Sequence, residues 1–298
     1  MFSRIFRAKR EEKAIKKYNE ALARLRQLKY AFNEAGQLRK VDENTGKPGD
    51  QPFEYQISGD RVENEDHYEK IGDEVTEIVY GLLEQNGLKR LTIPFHMPYN
   101  QSSFIFTQPA QPDCSNKLLV LIHGLGALPY IRRAQKLGYD IVVTNTNDNM
   151  RYFVGVYTST DEVANPMQHA NFVWEKIVMA SKPQSVAIIA HSYGGHLAMF
   201  LSRQHQEFFK EKVFAIALTD SAHYDVPKDS REYLQKVTCN WASSEEPLDT
   251  VLPIPDDEVH KVSAGHANHE WTSYTAMESV MKYIEEKHEE HLRKVANV

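Results

Sequence analysis

Ser185-Val186-Ala187-Ile188-Ile189-Ala190-His191-Ser192-Tyr193-Gly194-Gly195 begins as an apolar, β-prone run, meets a serine at an abrupt corner, and continues in small residues that open a helix. A strand-to-helix turn tight enough to hold a serine hydroxyl above a sheet brings its neighbours into close contact. Small residues are therefore needed two positions before and two after the serine. Ala190 and Gly194 occupy those positions, with Ala190 standing where glycine is usual. The stretch reads as a nucleophile elbow with Ser192 at its tip. Tyr193, the next residue, is placed to offer its backbone N–H to an oxyanion.

On both sides of the elbow the chain alternates short β-prone runs with helical patterns. Leu91-Thr92-Ile93, Ser103 to Phe106, Leu118 to Ile122, Ile141 to Thr144, Val186 to Ile189, Val213 to Leu218, Val237 to Trp241 and His260 to Ala264 are the candidate strands. Helical periodicity falls at Glu65 to Gln85, Tyr130 to Leu137, Asp161 to Ala180, Gly194 to Phe209, Lys228 to Gln235 and Trp271 to His291. Strands that are continuous apolar runs separated by helices imply a mainly parallel sheet covered on both faces, hence an α/β fold. The N-terminal part reads differently. Ala14, Tyr18, Ala21, Leu25 and Leu28 recur at helical spacing among basic residues, and residues 30 to 57 look like a β-hairpin. The predicted organisation is a basic amphipathic helical extension over residues 1–29 and one α/β domain over residues 30–298.

Charge is divided along the chain. Residues 1–40 carry twelve Lys/Arg against four Asp/Glu, a net +8, and the remainder carries 23 against 37, a net −14, which together give −6. An acidic body of this kind repels nucleic acid. The basic helix is expected to pack on its own domain or on a partner protein in preference to nucleic acid or membrane. Phe2, Arg4, Ile5, Phe6 and Arg7 have the flavour of a transit peptide, which Glu11 and Glu12 argue against. No apolar run has the roughly 20 residues of a membrane-spanning helix, and the N-terminus lacks a signal-peptide core, so the chain is expected to be intracellular and not secreted. Cys114 and Cys239 are too few for a disulfide framework or a cysteine zinc site. No His/Asp/Glu grouping has metal-ligand spacing, and the glycine-rich turn at Gly124 lacks the lysine of a phosphate loop, so neither a metal nor a cofactor is expected.

Chemistry in such sheets collects at the carboxyl ends of the strands. Leu121-Ile122-His123-Gly124-Leu125-Gly126 ends one strand in a loop suited to a second oxyanion donor, from Gly124 or Leu125. Asp249 follows the Val237 to Trp241 strand, and His269 follows the last. The order serine, acid, histidine is that of α/β-hydrolases. A histidine takes the serine proton, and a carboxylate fixes its tautomer and stabilises its cation. Ser192, His269 and Asp249 are assigned those parts. Glu246 and Asp220 are alternative acids, and His266 competes with His269. His191 and His196 read as structural, and His288 and His291 as lying on a solvated helix face.

Several segments together resemble the Arb2-domain family of argonaute-binding cotranscriptional regulators. They are Tyr30-Ala31-Phe32-Asn33-Glu34-Ala35-Gly36-Gln37-Leu38-Arg39, Leu121-Ile122-His123-Gly124, Ala190 to Gly195, Ala217-Leu218-Thr219-Asp220-Ser221, Asn240-Trp241, Glu246-Pro247-Leu248-Asp249-Thr250, Val262-Ser263-Ala264-Gly265 and His269-Glu270 with Thr272-Ser273. The resemblance runs from about Tyr30 to Tyr283. It implies an α/β-hydrolase-like fold and favours His269 over His266. It also implies a nuclear or nucleocytoplasmic protein with argonaute and chromatin or splicing proteins as partners, touching small RNA only through the complex. The roles implied are RNA silencing through heterochromatin in fungal relatives and transcription-coupled splicing in animal ones. Gly124 to Leu137 is more compact than in animal relatives, and their charged insertion after the Ile141 to Thr144 strand is nearly absent.

Two functions are compatible with this reading. One is an argonaute-associated regulator that inherits Ser192 on a hydrolase scaffold; the other is an active, esterase-like serine hydrolase. The run from Asp220 to Val237 is too short for a large lid, which implies an open, shallow site and favours the scaffold.

Overall fold

The computed structural model describes all residues except 1, 98–101, 110–114, 123–126, 148–150, 154–155, 159–161, 222, 224–225, 256–257 and 297–298. The chain forms two compact units, Met1–Gly87 and Leu88–Val298.

In the first unit, helix α1 (Phe2–Gln27) packs with helix α2 (Arg61–Gln85) and a small sheet of β1 (Tyr30–Phe32), β2 (Leu38–Val41) and β3 (Pro48–Pro52). Ala21 and Leu25 of α1 are buried in one apolar cluster with Tyr30 and with Ile71 and Ile78 of α2. The amphipathic stripe read from the sequence is thus spent inside the chain's own unit, and burial of this apolar face is what holds the helix. Gly81 permits the close crossing: a Cβ there would stand 2.8 Å from the Tyr18 Cβ. Asp60 starts α2 by accepting the Val62 N–H, so the helix begins four residues before the periodicity predicted. The expected hairpin is a three-stranded meander. β1 pairs with β2 and β2 with β3, because Asn33 to Gly36 already makes a turn, with Gly36 at φ +74°.

The second unit is built on an eight-stranded sheet. It comprises β4 (Lys89–Ile93), β5 (Ser103–Gln108), β6 (Lys117–Ile122), β7 (Asp140–Val143), β10 (Ser185–His191), β11 (Val213–Thr219), β12 (Thr238–Ala242) and β13 (His260–Ser263). A separate hairpin, β8 (Arg151–Phe153) with β9 (Val156–Thr158), precedes β10 and was not legible in the sequence. Across the sheet the order is β13-β12-β11-β10-β6-β7-β5-β4. β5 runs antiparallel to both its neighbours, and all other pairs are parallel. Helices α3 (Ala127–Lys136), α4 (Pro166–Val173), α5 (Tyr193–Gln204), α6 (Gln206–Lys212), α7 (Arg231–Val237), α8 (Thr272–Thr275) and α9 (Met277–Ala296) cover both faces. This is the α/β-hydrolase fold.

β10 and β11 lie at the centre, and from Val186 to Ala190 and Val213 to Leu218 every residue is buried. Central parallel strands are covered on both faces, which is why these runs are apolar at every position. The predicted helix Gly194 to Phe209 is two helices, α5 and α6, broken at His205, whose φ of −124° and ψ of 45° are not helical. α4 passes into a π-helical turn, Trp174–Met179, that keeps Trp174 stacked on Phe209 at 4.8 Å. Among the described residues no helix is long and apolar enough to cross a membrane.

Candidate active site

Ser192 joins β10 to α5 with φ 52° and ψ −123°, a combination that L-residues rarely adopt. Such strain persists only where the surroundings impose it. Here they do. The Ser192 N–H donates to the Thr219 carbonyl at 3.1 Å, one step beyond the β10–β11 ladder, and the Gly195 N–H donates to the Ser192 carbonyl at 3.1 Å. Gly195 is the position that sterics fix most tightly. A Cβ on it would fall 1.6 Å from Ser221 Oγ and 2.5 Å from Ser221 Cβ, so only glycine lets α5 start this close to the end of β11. Tyr193 is the first residue of α5, and a first-turn N–H has no intrahelical acceptor. It remains available to an oxyanion. Gly124 and Leu125, the other expected donors, lie outside the described residues.

The acid that reaches His269 is Asp220. His269 Nδ1 donates to Asp220 Oδ2 at 2.7 Å, and the Ser243 N–H donates to Asp220 Oδ1 at 3.0 Å. Because His191 and Thr219 are register partners on β10 and β11, Ser192 and Asp220 occupy equivalent places just past the ends of adjacent strands. Asp220 also has a positive φ, 46°, which aspartate tolerates better than most residues. Burial opposes its charge, but the hydrogen bonds from Ser243 and His269 outweigh burial and hold the carboxyl below its ordinary range.

Asp249, the acid first assigned, faces elsewhere. Its Oδ1 accepts from Trp241 Nε1 at 2.8 Å and its Oδ2 from Ser279 Oγ at 2.7 Å. The backbone explains this: Asp249 N donates to the Ser263 carbonyl, and Leu252 N to the Lys261 carbonyl. Residues 249–252 thus lie antiparallel along the outer edge of β13, away from the elbow. Glu246 is likewise tied at its backbone, accepting from Ser263 Oγ at 2.7 Å, with its side chain exposed. His266 accepts the Asn268 N–H on Nδ1 and stacks on Trp271, so it does not compete for the carboxylate.

His191 packs its ring against that of His269, with centroids 4.6 Å apart. Its Nδ1 lies 2.9 Å from the Thr219 carbonyl and 3.2 Å from Ser273 Oγ. A carbonyl only accepts, so Nδ1 carries the proton. Burial first, and the neighbouring His269 second, push the His191 pKa down. The ring is thus a neutral wall that fixes the orientation of His269. His288 and His291 are not on a solvated face. Both belong to α9: His288 packs on Phe214 at 4.9 Å and on Tyr139 at 6.4 Å, and His291 on Phe214 at 5.8 Å.

A second serine–histidine–carboxylate chain lies just behind the elbow. His223 Nε2 lies 2.7 Å from Glu258 Oε1, and its Nδ1 lies 2.8 Å from Ser221 Oγ. Its histidine is only 3% exposed. This chain ties the segment after Asp220 to Glu258, just before β13, through a buried histidine. The spacing Ser221-x-His223 was visible in the sequence, but the partner Glu258 is remote and carries no sequence signal.

Ser192 and His269 are both partly exposed, His269 with 44% of its side chain accessible, so the site is open. Among the described residues no hydrogen bond joins Ser192 to His269, and no group of acids, histidines and cysteines is arranged to hold a metal. A serine held on an elbow, a histidine oriented by a carboxylate and a free helix-start N–H are the parts that acyl transfer needs.

The strand order, the elbow and the His269–Asp220 pair define an α/β-hydrolase-like protein. Within that class, the chain belongs to the Arb2-domain family: the Arb2 domain matches residues 22–126 and 126–248. It is 32% identical to the cotranscriptional regulator ARB2A homolog of Gallus gallus, over 87% of this chain and 79% of that protein. It is 31% identical to the cotranscriptional regulator ARB2A of Homo sapiens, over 88% of this chain and 80% of that protein. Among solved structures it is similar to a CIB-like hydrolase from Thermoplasma acidophilum, with a TM-score of 0.42 at 13% identity over 68% of this chain and 99% of that one.

Proposed function

We propose that this protein is a cotranscriptional regulator that retains a serine-hydrolase centre, with Ser192 as nucleophile, His269 as base and Asp220 as the carboxylate that orients it. The regulatory role comes from the named relatives. The chemical role is carried by one observation, the 2.7 Å contact of His269 Nδ1 with Asp220 Oδ2, which leaves Nε2 as the atom that takes the serine proton. Attack of Ser192 Oγ on an acyl carbon displaces an alcohol or amine, which receives that proton from His269, and water then releases the acid by the same route in reverse. The oxyanion formed at each stage is met by the Tyr193 N–H. A fluorophosphonate probe tests the assignment: it is expected to label the wild-type chain and not Ser192→Ala. An unlabelled but folded wild type overturns it.

A second reading is favoured by the openness of the site and by the missing Ser192–His269 hydrogen bond. In it the hydrolase scaffold serves binding, in the nucleus and cytoplasm, with argonaute and chromatin or splicing proteins as partners. It expects Ser192→Ala to co-purify with argonaute as the wild type does. Loss of argonaute from that variant counts against it.

A further inference from the structure

Three large aromatic side chains stand exposed around the Ser192 and His269 positions. Tyr193 is 40% exposed, Trp271 39% and Tyr274 64%, whereas the other two tryptophans, Trp174 and Trp241, are buried. Trp271 and Tyr274 come directly after His269, on the short helical turns that carry it. They are ordered and not splayed into solvent: the His266 ring stacks on Trp271 at 5.7 Å and 27°, and Tyr274 meets Trp271 edge-on at 6.0 Å. Nothing in the hydrolase chemistry requires this rigid, solvent-facing aromatic platform, and exposed Trp and Tyr at low entropy are what binding surfaces use as anchors.

Charge identifies the occupant. Residues 237–281 carry eight Asp/Glu and a single Lys, Lys261. The Ser244 N–H donates to the His266 carbonyl at 3.1 Å, which sets the loop bearing the exposed Glu245 and Glu246 beside the platform; Glu270, also exposed, lies between His269 and Trp271. Aromatic faces bordered by carboxylates attract cations. Nucleobases stack on such rings too, but their phosphates meet repulsion from the same glutamates.

We propose that His266, Trp271 and Tyr274 form a docking surface for a basic polypeptide segment, whose arginine or lysine side chains lie on the rings and against Glu245, Glu246 and Glu270. The surface would bring a protein chain to the Ser192 site. The inference rests on where that site is and not on whether Ser192 reacts, so it stands or falls independently of the hydrolase reading.

The test titrates the full chain with a peptide of alternating arginine and glycine, its glutamate counterpart, and single-stranded oligouridylate, following tryptophan fluorescence and anisotropy. The arginine peptide is expected to bind, to change the emission of the exposed Trp271, and to weaken as salt rises. Trp271→Ala/Tyr274→Ala is expected to lose about tenfold or more in affinity with an unchanged melting curve. Glu245→Gln/Glu246→Gln/Glu270→Gln, which leaves the rings in place, is also expected to bind more weakly, and Ser192→Ala to bind as wild type does. Binding of the glutamate peptide or the RNA as tightly as the arginine peptide overturns the proposal. So does wild-type affinity in both the aromatic and the glutamine variants.

Discussion

His269 Nδ1 lies 2.7 Å from Asp220 Oδ2, a contact that sets a carboxylate from the end of the strand next to the elbow strand against the proposed base. Asp220→Asn keeps the size of the side chain but allows the wrong histidine tautomer, so fluorophosphonate labelling of Ser192 is expected to slow by about a hundredfold or more. Asp249→Ala should leave the labelling rate near that of wild type. It should instead lower stability by about 1 kcal/mol, because the Trp241 N–H loses its acceptor. Rates and urea midpoints of the two variants separate the assignments; equal slowing in both would contradict the geometry.

Gly195→Ala places a methyl group on Ser221 and is expected to destabilise the chain by about 3 kcal/mol, at the upper end of overpacking effects. Gly195→Ala/Ser221→Gly removes both clashing atoms and should recover most of the loss. The double-mutant cycle, measured by chemical denaturation, reads the coupling directly.

Ser192 stores backbone strain at φ 52°. Ser192→Gly relieves it and Ser192→Ala does not, so the glycine variant should be the more stable of the two by about 1 kcal/mol, though both lack the nucleophile. Thermal melting distinguishes them. Equal stability would mean that the elbow is not strained.

On α9, burial and then Lys117 push the His288 pKa down, and burial and then Lys294 and Lys212 push down that of His291. With the folded values depressed, the unfolded chain binds protons first as pH falls below the ordinary histidine value of about 6.5, and stability is lost there. Above that value both states are neutral and the effect vanishes. Denaturation between pH 7.5 and pH 5.5 should show this fall, flattened in His288→Gln/His291→Gln.

Much of the fold was legible because central strands such as β10 and β11 are apolar throughout and the helices between them keep their period. Helix breaks were harder to see. His205 interrupts α5 and α6 through its backbone angles alone, with no glycine or proline to mark the place. The packing of the N-terminal helix is not legible locally, because Ala21 and Leu25 of α1 find their partners in α2, across a stretch of sheet and loop that local periodicity does not span. At the candidate site, strand ends and chain order single out Ser192 and His269 in the sequence. Chain order alone does not choose between Asp220 and Asp249, since both follow strands, and the edge pairing of residues 249–252 with β13 turns Asp249 away from His269.

The most direct measurement is the rate of fluorophosphonate labelling of the full-length chain, with the modified residue located by peptide mass mapping. The expected result is modification of Ser192, absent in Ser192→Ala and strongly slowed in both Asp220→Asn and His269→Gln. A folded wild-type chain that takes no label, or one modified elsewhere with Ser192 untouched, would contradict the assignment of a Ser192–His269–Asp220 centre.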